Sequence, residues 1–188
     1  MKTQLRPEVV RSFHDKPFTT PVIGVTGGKG GVGKTTVAVN LAAAMVNLGY
    51  MVALVDCDVD APNAAILLGL ALEEQLPVTV TQPLFDPQKC LDGCSACIEA
   101  CRLHSLFRPR QGSIQLVGEC NGCEACFLAC PAEAISRGAR RVGMTYKTVS
   151  DALTVYTGAL QPGLEESAFI VKALKKRAFQ EAEKFDCI

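Results

Sequence analysis

No charge predominates in this chain. Lys plus Arg and Asp plus Glu both number 19, for a formal net charge of zero. Phosphate backbones are bound through a cationic surplus, so this balance gives no support to nucleic acid as the main partner. No stretch reaches the roughly 18 uninterrupted apolar residues that a membrane-spanning helix needs. The richest run, Val37 to Val46, is broken by Asn40 and followed by Asn47. Residues 1–20 lack the apolar centre of a secretory signal, and their two acids and two prolines speak against an organellar transit peptide. They read as an N-terminal extension. Collagen-like and coiled-coil repeats are missing, tryptophan is missing, and aromatics reach only 6%. Hydrophobic residues at 48% and charged residues at 20% exclude a disordered chain. A length of 188 suits one domain, or a domain with a small insert.

What the chain has in excess is cysteine, ten in all. Without a signal peptide the expected compartment is the cytoplasm, where cysteines serve as metal ligands rather than disulfides.

Pro21 to Thr26 reads as a buried strand, followed by a glycine-rich loop, Gly27 to Gly33. Lys34 to Leu48 reads as a helix closed by Gly49. Met51 to Val55 is a second apolar strand, ended by Asp56. Continuous apolar runs of this kind suit parallel strands buried on both faces, so the unit is βαβ. Ala61 to Leu70 predicts a short helix, and Pro77 to Thr81 a further strand. The composition changes near Phe85: eight cysteines fall between Cys90 and Cys130. Globular patterning returns with a strand at Ala152 to Tyr156 and a helix over Glu165 to Lys184. That helix carries Ala168, Phe169, Val171, Leu174 and Ala178 near one face, and Lys172, Lys175, Lys176 and Arg177 on a solvated one. Four parts result: an extension over 1–20, an α/β domain over 21–85, a cysteine-rich insert over 86–137, and the α/β domain resumed over 138–188. Phe185 to Ile188 looks like the start of another strand, so the parallel sheet is expected to be incomplete at this point.

Gly28-Lys-Gly-Gly-Val-Gly33-Lys34-Thr35 fits the phosphate-loop pattern G-x-x-x-x-G-K-[ST]. Its glycines let backbone N–H groups turn inward around phosphate oxygens, and the following helix N-terminus favours the anion. Lys34 would reach the β- and γ-phosphates, and the Thr35 hydroxyl would ligate Mg²⁺. The candidate nucleotide-binding residues are Gly28, Lys29, Gly30, Gly31, Val32, Gly33, Lys34, Thr35 and Thr36. A second lysine inside the loop, Lys29, makes this stretch resemble the deviant Walker A motif of the MinD/ParA superfamily of P-loop ATPases. The resemblance implies an ATP-sandwiched homodimer in which Lys29 reaches the partner's ATP and neutralises transition-state charge, making Lys29, Lys34 and Asp58 the catalytic candidates. Asp56-Cys57-Asp58-Val-Asp60 follows the second strand, where carboxylates face the ligand crevice of an open α/β sheet. By the same resemblance Asp58 orients the attacking water and Asp60 lies near Mg²⁺. Cys57 and Cys187 read as ordinary small core or near-core residues.

The other eight cysteines form two quartets: Cys90-x3-Cys94-x2-Cys97-x3-Cys101 and Cys120-x2-Cys123-x2-Cys126-x3-Cys130-Pro131. They are an internal repeat. Adding 29 carries Cys94, Cys97 and Cys101 onto Cys123, Cys126 and Cys130, and Gly93 and Leu106 onto Gly122 and Ile135. Cys90 to Cys120 needs 30, so the first block holds one extra residue. Three cysteines two or three residues apart can wrap one iron–sulfur cluster while the fourth ligates the other. Crossed in that way, one [4Fe–4S] cluster takes Cys90, Cys94, Cys97 and Cys130, and the second takes Cys101, Cys120, Cys123 and Cys126. Zinc sites more often use two separated C-x-x-C pairs. The block resembles a bacterial two-cluster ferredoxin over residues 86–137. It departs from that pattern at Arg102, where proline is usual and where a positive charge would stand beside a cluster. His104 is expected at the surface.

The whole chain resembles the N-terminal part of MinD-superfamily ATPases that contain an inserted ferredoxin domain. The implied fold is an incomplete P-loop sheet with that insert, and the implied cofactors are ATP, Mg²⁺ and two [4Fe–4S] clusters. The implied activity is an ATPase, weak in this chain, whose nucleotide state governs electron transfer to a redox partner. An ATP-dependent iron–sulfur carrier of the Mrp type is the alternative. With both clusters bound the net charge would fall to roughly −4, which favours a redox partner with a basic docking face.

Overall fold

The computed structural model describes residues 20–110 and 112–188, so the extension expected over 1–20 lies outside the described residues but for Thr20. The elements in chain order are α1 (Lys34–Asn47), β1 (Val52–Asp56), α2 (Ala64–Leu67), β2 (Leu76–Phe85), α3 (Ala96–Ala100), β3 (Leu106–Phe107), β4 (Gln115–Leu116), α4 (Ala125–Ala129), β5 (Ile135–Ser150), β6 (Leu153–Leu160) and α5 (Ser167–Phe179). A short 3₁₀ turn at Ala182–Lys184 follows.

The main sheet runs β1-β6-β5-β2. β1 and β6 are parallel, but β5 is antiparallel to both β6 and β2. The sheet is therefore mixed, where a parallel one was expected. The reason is local. Only Asp151 and Ala152 separate β5 from β6, and a two-residue connection can join only antiparallel strands. Asp151 takes up a left-handed φ of 49° to close it. The 16-residue β5 is absent from the sequence reading because its first half, Ser-Arg-Gly-Ala-Arg-Arg, has no apolar run.

The segment 21–26 also differs from expectation. It forms no regular strand, and Val22, Ile23 and Val25 are exposed. It does hydrogen-bond on either side of Ile188, from Ile23 N to Ile188 O at 2.8 Å and from Ile188 N to Pro21 O at 2.9 Å. Cys187 in turn bridges Val52 in parallel, so residues 186–188 behave as the start of a strand beside β1.

Alternation along β1 and β6 explains the layers. Val52, Leu54, Leu153 and Val155 face α1 with Ala42. Ala53, Val55 and Tyr156 face α5 with Leu174, Ala178 and Phe185. Tyr156 meets Phe185 edge-on, ring centroids 6.3 Å apart. α5 buries Ile170, Leu174 and Ala178 at helical spacing, whereas Ala168 is exposed and Ile170 takes the core place expected of it. Lys172, Lys175 and Lys176 are exposed as expected, but Arg177 is pinned, donating to Thr145 O at 3.3 Å and Glu74 Oε2 at 3.2 Å.

β2 and β5 form a long ribbon in register from Leu76↔Thr145 to Phe85↔Ile135, with a bulge between Val78 and Thr79. Residues 86–134 close the end of that ribbon. They carry α3, α4 and the small β3–β4 sheet, with a core of Cys97, Leu106, Ile114 and Cys126.

Candidate functional site

The phosphate loop lies between the 21–26 segment and α1. Gly31 and Gly33 take positive φ of 72° and 86°, conformations that only glycine adopts without strain. Gly33 is the N-cap of α1, and its carbonyl accepts Val37 N–H at 2.9 Å. A Cβ on Gly27 would meet Val32 Cγ2 at 3.1 Å, so the loop folds tightly back on itself. Lys34 Nζ donates to the Lys29 carbonyl at 3.2 Å. Gly28 to Val32 and Thr36 are exposed, and Thr35 is half-buried.

A cleft of about 650 Å³ opens beside this loop, lined by Lys34, Thr35, Asp56, Cys57, Asp58 and, from α5, Lys175. The loop after β1 is organised by Asp56, whose role the sequence did not reveal. Its buried carboxylate accepts three backbone N–H groups: Asp58 at 3.1 Å, and Asn63 and Ala64 at 3.0 Å each. This clamps residues 58–64 and shortens the helix expected over Ala61 to Leu70 to a single turn. Asp58 is thereby held exposed at the cleft. Asp60 is exposed but stands outside the cleft lining, and so does Lys29. Cys57, expected in or near the core, is exposed at the cleft wall; partial burial of its thiol pushes the pKa up, the Lys175 charge works against that, and the Asp56 carboxylate adds to it. Cys187 is buried, as expected.

The insert repeats in space as it does in sequence. α3 and α4 match under the 29-residue shift. Gly93 and Gly122 have φ of 71° and 69°, and His104 and Glu133 have φ of 51° and 49°. Ser105 N–H donates to Cys101 Sγ at 3.4 Å, and Ala134 N–H to Cys130 Sγ at 3.3 Å. His104 is exposed, as expected.

Cys90, Cys94, Cys97 and Cys130 line one small cavity, walled otherwise by Phe85, Leu91, Ile114, Pro131 and Ile135. The Cys97 thiol pKa is raised by burial and then by the charges of Cys130, Cys90 and Cys94. Cys126 is pushed up to about 11, by burial first and with Cys120 and Cys123 adding to it. Cys101 caps the C-terminus of α3, as Cys130 caps that of α4. No three thiol, imidazole or carboxylate groups among the described residues converge as a site for a single metal ion. The donors of the first cavity fit a polynuclear cluster: four thiols from two loops in an apolar shell, with a backbone N–H on one sulfur. Arg102 is exposed. The guanidinium that reaches a cysteine sulfur is that of Arg108, at 3.2 Å from Cys90 Sγ, a residue that no motif singles out.

No helix among the described residues is long and apolar enough to cross a membrane. The family described as "CobQ/CobB/MinD/ParA nucleotide binding domain" matches residues 23–182. An iron–sulfur cluster carrier protein of Pyrococcus horikoshii is 56% identical over 52 residues, 28% of this chain and 18% of that protein. The antiactivator FleN of Pseudomonas aeruginosa is 56% identical over 55 residues, 29% of this chain and 20% of that protein. An uncharacterized protein of Methanocaldococcus jannaschii is 30% identical over 158 residues, 82% of this chain and 55% of its own length. The matches thus span from about a fifth to about half the length of these relatives. No solved structure matches the chain.

Proposed function

The chain belongs to the CobQ/CobB/MinD/ParA nucleotide-binding family, and from that premise we propose that it is an ATPase whose nucleotide state is coupled to electron transfer through two [4Fe–4S] clusters. The observation that carries the second half is the convergence of Cys90, Cys94, Cys97 and Cys130 on one apolar cavity, with thiols from both halves of the repeat. Crossing of this kind is what a two-cluster ligand set requires. Cys101, Cys120, Cys123 and Cys126 would hold the second cluster by the same symmetry. The clusters, when bound, supply one-electron redox chemistry. The protein's part is to hold them, exclude water and set their potentials through charge and hydrogen bonds.

On the nucleotide side, Gly28 to Thr36 would cradle the phosphates, Lys34 would leave its loop carbonyl for a phosphate oxygen, and Thr35 would ligate Mg²⁺ with Asp60 nearby. Asp58, fixed by the Asp56 clamp, would orient water. Exposed Lys29 would act across an ATP-sandwiched homodimer. Opening and closing of that dimer would alter access to the clusters or docking of a redox partner. The parts assigned here are an ATPase domain over 21–85 and 138–188 and a ferredoxin-like insert over 86–137.

A second reading is favoured by the names of the relatives. Several are iron–sulfur cluster carriers, for which a cluster is cargo. Two complete quartets speak for resident clusters instead, since cargo is held by fewer ligands at an exposed interface. The test is direct. Anaerobically prepared protein should contain about eight irons with matching acid-labile sulfide by this ligand count, and the clusters should stay bound through repeated reduction and reoxidation. Zinc without sulfide would sink the ferredoxin reading, and transfer of the clusters to an apo acceptor would establish the carrier.

A further inference from the structure

The repeat in the insert is broken in one respect, and the break lies at a cysteine sulfur. A shift of 29 carries Arg108 onto Arg137. Arg137 is neutralised: its Nη2 and Nε donate to the Glu124 carboxylate at 2.7 and 3.2 Å. Its guanidinium also covers the Phe127 ring, 5.1 Å from the centroid. The position that matches Glu124 is Ser95, which offers no carboxylate. Arg108 turns inward instead. Its Nη2 donates to Cys94 O at 2.8 Å and to Cys90 Sγ at 3.2 Å. Among the described residues no carboxylate pairs with Arg108, and its Nε is buried without an acceptor. The backbone N–H groups on Cys101 and Cys130 are alike within 0.1 Å (3.4 against 3.3 Å), so they do not distinguish the two halves. Arg108 does.

We propose that Arg108 is a positioning and potential-setting residue: its charged donation to Cys90 Sγ makes the cluster held by Cys90, Cys94, Cys97 and Cys130 the more easily reduced of the two. This rests on the reading that those cysteines hold a cluster. One-electron reduction adds a negative charge to the cluster and its thiolates. A cation hydrogen-bonded to one sulfur, half-buried and free of a carboxylate, stabilises that reduced state more than the oxidised one. In the other half the Glu124 carboxylate cancels the matching charge. Electrons entering the insert would therefore settle first on the Cys90 side.

The test is a redox titration of the anaerobic full chain, with mediator dyes passing electrons from an electrode and the two clusters followed by visible and electron paramagnetic resonance spectra. The wild-type protein should show two one-electron steps. In Arg108→Gln the upper step should move down by about tenfold in its equilibrium constant, 59 mV for a one-electron couple, toward an unmoved lower step. Arg108→Lys should retain most of the separation, and Arg102→Gln should leave both steps in place. Loss of iron from Arg108→Gln but not from Arg108→Lys supports the same role, since charge then holds the Cys90 ligand. The proposal is overturned by unmoved steps in Arg108→Gln, by an equal fall in Arg102→Gln, or by iron loss in both Arg108 variants, which would make the side chain purely structural. Failure of the underlying reading looks different: wild-type protein would lack iron and sulfide before any titration began, and the proposal would fall with it.

Discussion

Arg140 and Glu166 form an ion pair between β5 and the N-cap of α5, and the same guanidinium nitrogen donates to the carbonyl of Cys120 at 3.4 Å. One side chain thus ties the second cysteine loop to the helix whose Lys175 lines the cleft beside the phosphate loop. The loop is also seated closely on β2. A Cβ on Gly122 would meet the Thr81 carbonyl at 3.1 Å. Movement of the insert against the α/β domain has to strain or break this connection.

The pair makes acid stability predictable. Burial pushes the Glu166 carboxyl up, but Arg140 and the backbone N–H groups of Glu165 and Glu166 together outweigh it, and the net shift is below the ordinary value of 4.5. A carboxylate with a depressed folded pKa contributes stability that is complete above its unfolded pKa and is lost as pH falls through the lower folded one. Glu166→Gln should therefore flatten the acid side of a plot of Tm against pH, below about pH 4.5. Glu166→Ala at neutral pH should cost about 2 kcal/mol in denaturant unfolding, because it strands a half-buried cation. An unchanged acid slope in Glu166→Gln would show the pair to be spectator.

Asp56 should prove structural in its direct effect and functional in its consequence. Its removal as Asp56→Ala orphans three backbone donors and should destabilise the fold by about 2 to 3 kcal/mol. Asp56→Asn keeps the shape but presents an N–H₂ where an acceptor oxygen is needed. It should lose most of that stability as well, and weaken nucleotide binding by releasing Asp58 and the 58–64 loop. Calorimetry and a nucleotide-binding titration on the same variants separate the two losses.

The two loop lysines should separate binding from turnover. Lys34→Ala should abolish Mg-ATP binding, since Lys34 lines the cleft and Lys29, the other cation of the loop, does not. Lys29→Ala should bind nearly as well but hydrolyse about a thousandfold more slowly, the order expected for a charge supplied across a dimer. Equal losses of binding in both variants would remove the cross-dimer role.

Two glycines in the sheet are places where α5 presses on the backbone. A Cβ on Gly143 would lie 2.4 Å from the Ala159 carbonyl oxygen and 2.5 Å from Ile170 Cδ1. On Gly158 its three nearest neighbours would be side-chain atoms, Val59 Cγ1 at 2.8 Å, Ile170 Cγ2 at 3.0 Å and Leu174 Cδ2 at 3.3 Å. Gly143→Ala should therefore cost about 3 kcal/mol or more and Gly158→Ala about 1 to 2, because side chains yield where a carbonyl in a strand pair does not. The order of the two unfolding free energies is the check.

The motifs were legible because their chemistry is local. The phosphate loop is one contiguous stretch in which glycine spacing, Lys34 and the start of α1 carry the meaning, and the positive φ of Gly31 and Gly33 is a property of those residues themselves. The cysteine repeat was legible as arithmetic, and its crossed grouping at Cys130 follows from a spacing rule. β1 and α1 announced themselves as apolar runs, and most of α5 by its period. β5 did not, because its arginines and glycines are accommodated by pairing with β2 rather than by burial. The exposed course of 21–26 escaped for the opposite reason: an apolar run looks buried whatever lies beside it.

What the sequence by itself determined, then, is the chemistry available: a loop that can cradle phosphate, a carboxylate-rich turn after β1, and eight cysteines in two matching quartets. The tertiary structure decided how those groups are aimed. Asp56 became a clamp only when β1 brought it under three amides of the following loop. The sheet became mixed only when a two-residue turn folded β6 back along β5. Arg108 and Arg137, equivalent in the repeat, parted only because one found a carboxylate within reach and the other a cysteine sulfur. Each of these outcomes depends on distances between residues that are far apart or differently oriented in the chain, and such distances are set by packing rather than by spacing.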